Sequence, residues 1–587
     1  MIRFLSILGL ISLQTMMAPT ASSQDIRVMS ETADRLLIAE VKRATKPDTP
    51  AETEFAARRQ ARSAAEHARS FLNSKAYFDP EISFAVDAGP PILPVLRVEP
   101  GQQFRFSKVR WDTSELALPS SVSARLNEID IASAGEMALP DRVVSHETAL
   151  VAELRSMGYP EARAVKHRAI GDRDTGTVEI VFQLEPGPRV RFGNVRYETD
   201  LPVRRPYLDR LIPFQPGDRF NPAALSDYNR RLRDTRNFST ASARLAEPET
   251  EATPNADENR DILVSASMRK RYSLGAGASY STAEGAGLTA ELTRHNATRR
   301  GDTLTGEVIL AQLNRSAGLD WQIPNVFAYD HTISFTATID EEETDAFDRE
   351  ALTLNGIYTL SPIQDLSLGF GLQVELASEI DAFEQRDIQV LSAGGGFRYD
   401  RSDDPLDPST GWRVESRIEP TAVQGDDTAN FVKLNTQLTA YQPLSSEGRF
   451  VAAGRLRAGF IYGARLDDVP VSRRFFAGGG GSARGFEFQS VGPTDDDGQP
   501  TGGRRLLEAS AELRMRSDTG FGGVVFVDAA SVSAGRSIDA SDVSMSAGVG
   551  VRYGTPIGPV RFDIATPIDR DSGDDPIQIY VSIGQAF

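Results

Sequence analysis

The sequence predicts a tandem of small α+β domains followed by an all-β, sixteen-stranded transmembrane barrel. Three observations carry that expectation. Helical periodicity recurs up to about residue 270 and vanishes after Arg271. About sixteen alternating segments then run to the end of the chain, an even number of the kind a membrane barrel needs. The last segment puts Ile577, Ile579, Val581, Ile583 and Phe587 on one face and Gln578, Tyr580, Ser582 and Gly584 on the other. A final aromatic there is expected to close the barrel in the interfacial girdle.

Bulk composition narrows the class. With 587 residues the chain has room for several domains, and with no cysteine it has no disulfide, thiolate metal site or cysteine nucleophile. A formal net charge of −18 speaks against nucleic acid as a partner, because phosphate binding needs basic surface. The five histidines, His67, His146, His167, His295 and His331, include no pair at zincin spacing, so no metal site is expected. Residues 1–23 read as a signal peptide. Arg3 is the positive start, Phe4 to Leu13 the apolar run, and Ala21-Ser22-Ser23 the small-residue site before Gln24. That run is shorter than the roughly 20 residues of a spanning helix, and no later stretch approaches one. Membrane crossing therefore falls to strands.

The first half is repetitive. Val98-Glu99-Pro100-Gly101 precedes an arginine-punctuated strand, Phe104 to Trp111, and Leu184-Glu185-Pro186-Gly187 precedes another, Val190 to Tyr197. Helical phrases keep step: Phe55 to Leu72, Glu147 to Met157, and Ala223 to Leu232, each followed by a short loop with an aromatic. Three compact helix-plus-strand domains are the economical reading, at 24–102, 103–188 and 189–270. An acidic insertion in the third, Glu247 to Asn259, reads as a solvated hairpin loop.

The barrel is expected over 271–587. Glu508, Ser510, Glu512, Arg514 and Arg516 oppose Leu507, Ala509, Ala511, Leu513 and Met515, one face for water and one for lipid. Alternation alone also suits a soluble sandwich; the targeting segment, Phe587 and the length of the strand run favour the barrel. The connection from about 462 to 503 is the longest, and loops of that length are usually functional or disordered. Its Gly478-Gly479-Gly480-Gly481 is not followed by the Gly-Lys-Ser/Thr of a phosphate loop. No nucleophile elbow is present either, since Gly481-Ser482-Ala483 lacks the spacing, and the chain reads as a non-enzyme without cofactor.

Several phrases together resemble a known family. They are Ala483-Arg484-Gly485-Phe486, Gly502-Gly503 followed by Glu512-Leu513-Arg514, Phe526-Val527-Asp528-Ala529-Ala530, Gly550-Val551-Arg552-Tyr553 leading to Pro556 through Asp563, and Gly584-Gln585-Ala586-Phe587. In this order they resemble the superfamily of outer-membrane assembly and translocation barrels that carry periplasmic POTRA domains, and within it the TamA-like assembly factors. Two positions depart from the family pattern: Ala483 replaces a valine, and Ala530 replaces a glycine.

The resemblance implies that the long loop folds back into the lumen, where Arg484 requires an anionic partner because a desolvated charge must be paired. Strand parity offers Glu512 and Asp528, and the expected lock is Arg484, Gly485, Phe486, Glu512 and Asp528. Gly275 and Gly277 in the first strand and Gly584 in the last mark an expected weak seam, with Phe587 as targeting signal. The resemblance further implies a Gram-negative outer-membrane location and help in inserting or translocating unfolded outer-membrane clients such as autotransporters. It also implies a TamB-like periplasmic or inner-membrane partner and contact with outer-membrane lipid. A two-partner secretion pore of the same superfamily, exporting one dedicated protein, is the alternative; a passive porin fits the long loop less well.

Overall fold

The computed structural model describes residues 26–587 except 48, 90–91, 114–117, 249–256, 283–284, 382–384, 427, 446–447, 518, 536, 538–541, 556–557, 569–575 and 584. The expected signal peptide at 1–23 lies outside them, as does most of the expected loop from Glu247 to Asn259.

Three α+β units come first, each with a three-stranded sheet. In the first, β1 (Arg27–Met29), β2 (Glu81–Asp87) and β3 (Leu93–Glu99) form a sheet ordered β1-β3-β2, covered by α1 (Arg35–Ala44) and α2 (Glu54–Ser74). Helix α2 begins at Thr53, whose hydroxyl accepts the Ala56 N–H at 3.2 Å, an N-cap. It buries Ala57, Ala61, Ala64, Ala68 and Leu72, a stripe at helical spacing that lets α2 lie close to Leu96 and Val98.

The second unit contains β4 (Arg105–Thr113), α3 (Ser120–Asn127), α4 (Pro140–Ser156), β5 (Arg163–Asp172) and β6 (Thr177–Glu185), with sheet order β4-β6-β5. Pro140 opens α4, where its missing N–H costs nothing. The helix thus starts seven residues ahead of the Glu147 read from periodicity, its first turn being polar apart from Val143 and Val144. Phe106, Leu150, Leu154, Ile180, Phe182 and Leu184 make its core. The third unit has β7 (Arg189–Tyr197), α5 (Arg205–Asp209), α6 (Pro222–Asp234), β8 (Phe238–Leu245) and β9 (Asp257–Met268), ordered β7-β9-β8. The paired Pro-Gly phrases make matching turns: Gly101 and Gly187 both have φ of 71°, a left-handed conformation suited to glycine.

A closed antiparallel barrel follows. Its strands are β10 (Tyr272–Ser281), β11 (Gly285–His295), β12 (Thr303–Ala311), β13 (Asn314–Ile323), β14 (His331–Glu343), β15 (Phe347–Ile363), β16 (Leu366–Asp381), β17 (Gln385–Asp400), β18 (Gly411–Gly425), β19 (Ala429–Pro443), β20 (Phe450–Tyr462), β21 (Arg505–Arg516), β22 (Phe521–Ser533), β23 (Ser544–Tyr553), β24 (Val560–Pro567) and β25 (Gln578–Ile583). Alternation sorts the wall: Leu274, Leu292, Phe335, Leu372, Leu507 and Val525 are exposed on the outer face, while Glu375, Glu508, Glu512, Arg514 and Asp528 are buried inside. Strands β16 to β18 run past the segments read from alternation. A ladder continues on main-chain bonding where apolar alternation has ended.

Neighbouring strands pair along most of their length, as in the ladder from Phe347↔Asp381 to Ile363↔Leu366. The closing pair is the exception. Among the described residues β10 meets β25 only at Tyr280↔Val581 and Ser281↔Tyr580. All of β10, from Tyr272↔Arg294 to Ser281↔Gly285, is nonetheless paired with β11.

At the end of the barrel where β10 begins, the turns Asn296–Asp302 and 324–330 receive part of the third unit. Buried Asp302 organises the first turn, accepting the Thr298 N–H at 3.0 Å and Trp321 Nε1–H at 2.9 Å. The Arg204 N–H donates to the Arg299 carbonyl at 2.7 Å, Asn237 Nδ2 donates to the Gly301 carbonyl at 2.8 Å, and Arg210 Nη1 donates to the Asn325 carbonyl at 3.2 Å.

His146 in the second unit gives a pH expectation. Its ring stacks on Phe182 at 5.3 Å, and burial pushes its pKa down, partly opposed by Asp130. The folded state therefore holds neutral imidazole more strongly than the unfolded chain does. The stability it contributes is complete above the unfolded pKa of about 6.5 and is lost as pH falls through the folded pKa. Hydrogen exchange of residues 140–185 in the full-length protein should accelerate on acidification, and His146→Phe should flatten that dependence.

Candidate functional site

Between β20 and β21 lies the 463–504 loop, and it turns into the lumen. At its tip Arg484 Nε and Nη2 donate to the two Asp528 carboxylate oxygens at 2.7 and 2.9 Å, a bidentate fork. The Arg484 main-chain N–H reaches the same carboxylate at 3.1 Å. Arg484 Nη1 lies 2.7 Å from Glu512 Oε1, an ionic contact out of line for a hydrogen bond, and 3.6 Å from Asp563 Oδ2. The guanidinium carbon stands 3.5 Å from the Phe526 ring centroid, so a cation–π contact covers the remaining face. Arg484 and Asp528 are only 1% exposed and Glu512 4%.

The acids are held in turn. Arg514 Nε donates to Glu512 at 2.8 Å, and Arg552 Nη1 and Nη2 donate to Asp563 at 2.5 and 3.2 Å. Gly550 leaves space for this pair, since an added Cβ would collide with the Asp563 carboxylate. Gly485 has φ of 102°, and a Cβ on it would sit 2.9 Å from Ser546 Cβ and 3.2 Å from the Thr566 main chain. Glycine is therefore required beside Arg484 both for conformation and for clearance. Phe486 is buried in the apolar cluster that includes Ala477, Val491, Leu506 and Val532.

A second set of contacts holds the root of the loop. Arg473 donates to Glu375 at 2.5 Å and to Glu419 at 3.3 Å; Arg474 donates to the Val469 and Thr501 carbonyls at 2.9 and 3.1 Å. Lys433 Nζ donates to the Arg473 carbonyl at 2.9 Å. At the glycine run, Arg455 holds the Gly481 and Ser482 carbonyls at 2.9 Å each.

The structure thus brings Arg484, Gly485, Phe486, Glu512 and Asp528 together. It adds residues that sequence reasoning did not assign: Phe526, Asp563, Arg514, Arg552 and Arg455 around the tip, with Arg473 and Arg474 at the root. Parity was a usable signal for Asp563, which alternates with outward Phe562 and Ile564. The arginines carried no such signal, because nothing in the sequence says which loop carbonyl faces which wall position.

The seam residues are placed differently. Gly275 pairs with Glu291 and Gly277 with Thr289, along the stretch of β10 that has no β25 partner among the described residues. A Cβ at either would meet only ordinary contacts, so neither glycine is sterically required. Gly584 lies outside the described residues. Phe587 departs from the expected lipid-facing girdle. It packs against Tyr441, Val451 and Ala453, on the lumenal side, with the Arg455 and Arg514 guanidinium carbons 5.4 and 5.2 Å from its ring centroid. The correction has a simple cause: strand β25 ends at Ile583, so the two-residue alternation no longer governs residues 585–587. Gln585 continues the inward course, donating to Asp407 at 2.8 Å.

A lumenal loop fixed by buried arginine–carboxylate pairing, in a sixteen-stranded barrel behind tandem α+β units, defines an outer-membrane barrel of the POTRA-bearing class. Residues 296–587 match the Omp85 superfamily domain, and the chain belongs to the Omp85 superfamily. It is similar to the outer membrane protein assembly factor BamA of Nitratidesulfovibrio vulgaris, 24% identical over 454 residues, 73% of this chain and 55% of that protein. BamA of Neisseria meningitidis serogroup B is 25% identical over 226 residues, 33% of this chain and 28% of that protein. The chain spans about half the length, or less, of these curated relatives. The crystal structure of BamA from Haemophilus ducreyi lacking POTRA domains 1–3 superposes with a TM-score of 0.67 at 20% identity, covering 81% of this chain and 99% of that one. The fold is therefore that of a Gram-negative outer-membrane barrel whose POTRA-like units lie in the periplasm.

Removing one partner of a buried ion pair strands the other, at about 3–5 kcal/mol when burial is complete. Arg484→Ala should leave the barrel folded, with normal heat-modifiable mobility, while exposing the 463–504 loop to protease. Asp528→Asn in that background should add little, since the two share one interaction. Simple additivity of the two effects would contradict the lock.

Proposed function

We propose that this protein is an assembly factor that helps insert or translocate outer-membrane client proteins such as autotransporters. It would work without catalysis or cofactor, as a TamA-like protein served by a TamB-like partner. The observation that carries the reading is the short seam, where two residue pairs and the adjoining contact of Thr282, whose N–H donates to the Ile579 carbonyl at 3.0 Å, close a barrel whose other strands pair along most of their length. On the seam side β10 offers main-chain N–H and C=O groups to another strand, as any strand edge does. Pairing through main-chain bonds ignores side-chain sequence, which suits varied clients. The three periplasmic units, assigned to 24–102, 103–188 and 189–270, likewise end in edge strands and would receive unfolded clients or the partner. The loop lock would hold the wall next to the seam rigid while the seam itself works, with the adjacent outer-membrane lipid as the medium the client enters.

A disulfide staple tests this. The chain has no cysteine, so Tyr280→Cys with Val581→Cys introduces a single pair, at directly paired positions within disulfide range. Oxidised protein should lose client assembly at least about tenfold, with recovery under reductant, the change expected if insertion requires the seam to part. Full assembly by the stapled protein would reject the seam mechanism. Continued export through a stapled barrel, stopped instead by a lumenal obstruction, would favour the two-partner secretion pore.

A further inference from the structure

We infer that Tyr580 couples the seating of the lumenal loop to closure of the seam. Tyr580 lies on β25, the last strand, and is one of the two residues of that strand paired with β10, through Ser281. Its side chain points into the lumen, 2% exposed, and its hydroxyl meets the loop next to Arg484. There it accepts the Gly485 N–H at 3.0 Å and donates to the Phe486 carbonyl at 3.3 Å. One hydroxyl thus meets two main-chain groups of the loop, the Gly485 N–H and the Phe486 carbonyl, which also accepts the Gly479 N–H at 3.3 Å. The same strand carries the seam pairing on its main chain and the loop contact on its side chain.

The two sides of the seam treat the loop differently. Every tip contact described above comes from β20 to β25: Arg455, Glu512, Asp528, Asp563 and Tyr580. Beside the glycine run is a cavity of about 160 Å³ whose wall on β10 to β12 is mostly small, Ser279, Gly285, Ala286, Gly287 and Ala311, with Tyr280 the one large residue. The tip contacts named above, among the described residues, thus fasten the loop to the strands that end the barrel. When the seam parts, the seated loop holds β25 in place and β10 is the strand released. If β25 instead swings away, it must first give up both loop hydrogen bonds. Because the seated loop orders β25, and β10 pairs with an ordered β25 at a lower entropy cost than with a loose one, a seated loop stabilises the closed seam, and by reciprocity a closed seam stabilises the seated loop. Tyr580 is a positioning residue in this scheme. The inference rests on the seam-based reading of function, but its test needs no client.

The test uses the full-length protein in detergent micelles, with Tyr280→Cys and Val581→Cys reporting seam closure as the rate of disulfide formation, and protease cleavage of 463–504 reporting loop seating. Tyr580→Phe keeps the ring and removes only the hydroxyl. It should slow seam crosslinking and speed loop cleavage together, each by about tenfold, the scale of losing two hydrogen bonds. Arg484→Ala, which removes ion pairs to β21, β22 and β24, should also slow seam crosslinking. The double variant should be no worse at the seam than the stronger single one. Normal heat-modifiable mobility of Tyr580→Phe establishes that the barrel is intact. Loop cleavage without a seam change, a seam change without loop cleavage, or an unaltered seam in Arg484→Ala would each overturn the coupling. None of those results would bear on whether clients are assembled, which the oxidised staple measures separately.

Discussion

The lumenal site depends on one desolvated charge. A guanidinium 1% exposed at Arg484 is tolerable only because carboxylates, main chain and an aromatic face surround it, and each of those neighbours constrains another strand. Asp528 fixes β22, Glu512 fixes β21, Asp563 fixes β24, and Gly550 on β23 leaves the space they need. A loop with little regular structure of its own is thereby registered against four consecutive strands. Water in the lumen does not loosen it, because the loop covers the pair it is held by.

That arrangement explains the uneven distribution of order around the barrel. The strands that end the chain are tied twice, by their ladders and by the loop. The strands that begin it, β10 to β12, carry mostly glycine, serine and alanine beside the glycine run, and the side-chain bonds seen on them among the described residues, such as Ser273 to His295 and Thr293 to Thr305, stay within those strands. At the other end, the buried carboxylate of Asp302 shapes a turn that receives main-chain and side-chain contacts from the third periplasmic unit. The turn beside the first strands is therefore anchored, while their lumenal side is not.

Much of this was legible in the sequence. Each of the sixteen alternating segments falls on a strand, since membrane alternation reports directly which face meets lipid. Parity placed Glu512 and Asp528 inside, and the resemblance put Arg484, Gly485 and Phe486 beside them. Legibility failed where local pattern ceased to govern. Phe587 was read as lipid-facing by extending an alternation past Ile583, beyond which there is no strand to impose it. The start of α4 was missed because its first turn has little apolar periodicity. Arg455, Arg473 and Arg474 were missed because their partners are largely carbonyl oxygens or acids distant in sequence, and a loop's fold is not written in its periodicity.

The seam poses the remaining physical question. In hydrocarbon an unpaired main-chain group costs several kcal/mol, which is why membrane barrels normally leave no edge. Along β10 from Tyr272 to Ser279 the outer edge has no β25 partner among the described residues, although Leu274 on the same strand is 82% exposed toward the lipid side. Ordinary barrels would remove that cost by extending the last strand; here residues 585–587 turn inward instead, toward Arg455, Arg514 and Asp407. The inward turn exchanges ladder bonds for lumenal cation–π and hydrogen-bond contacts, and it leaves the β10 edge as the place where a new strand gains most. Small glycines at 275 and 277 keep the lumenal side of that edge clear. An edge that is costly when empty and unobstructed when filled favours an incoming strand on free-energy grounds alone, whatever the side chains of that strand.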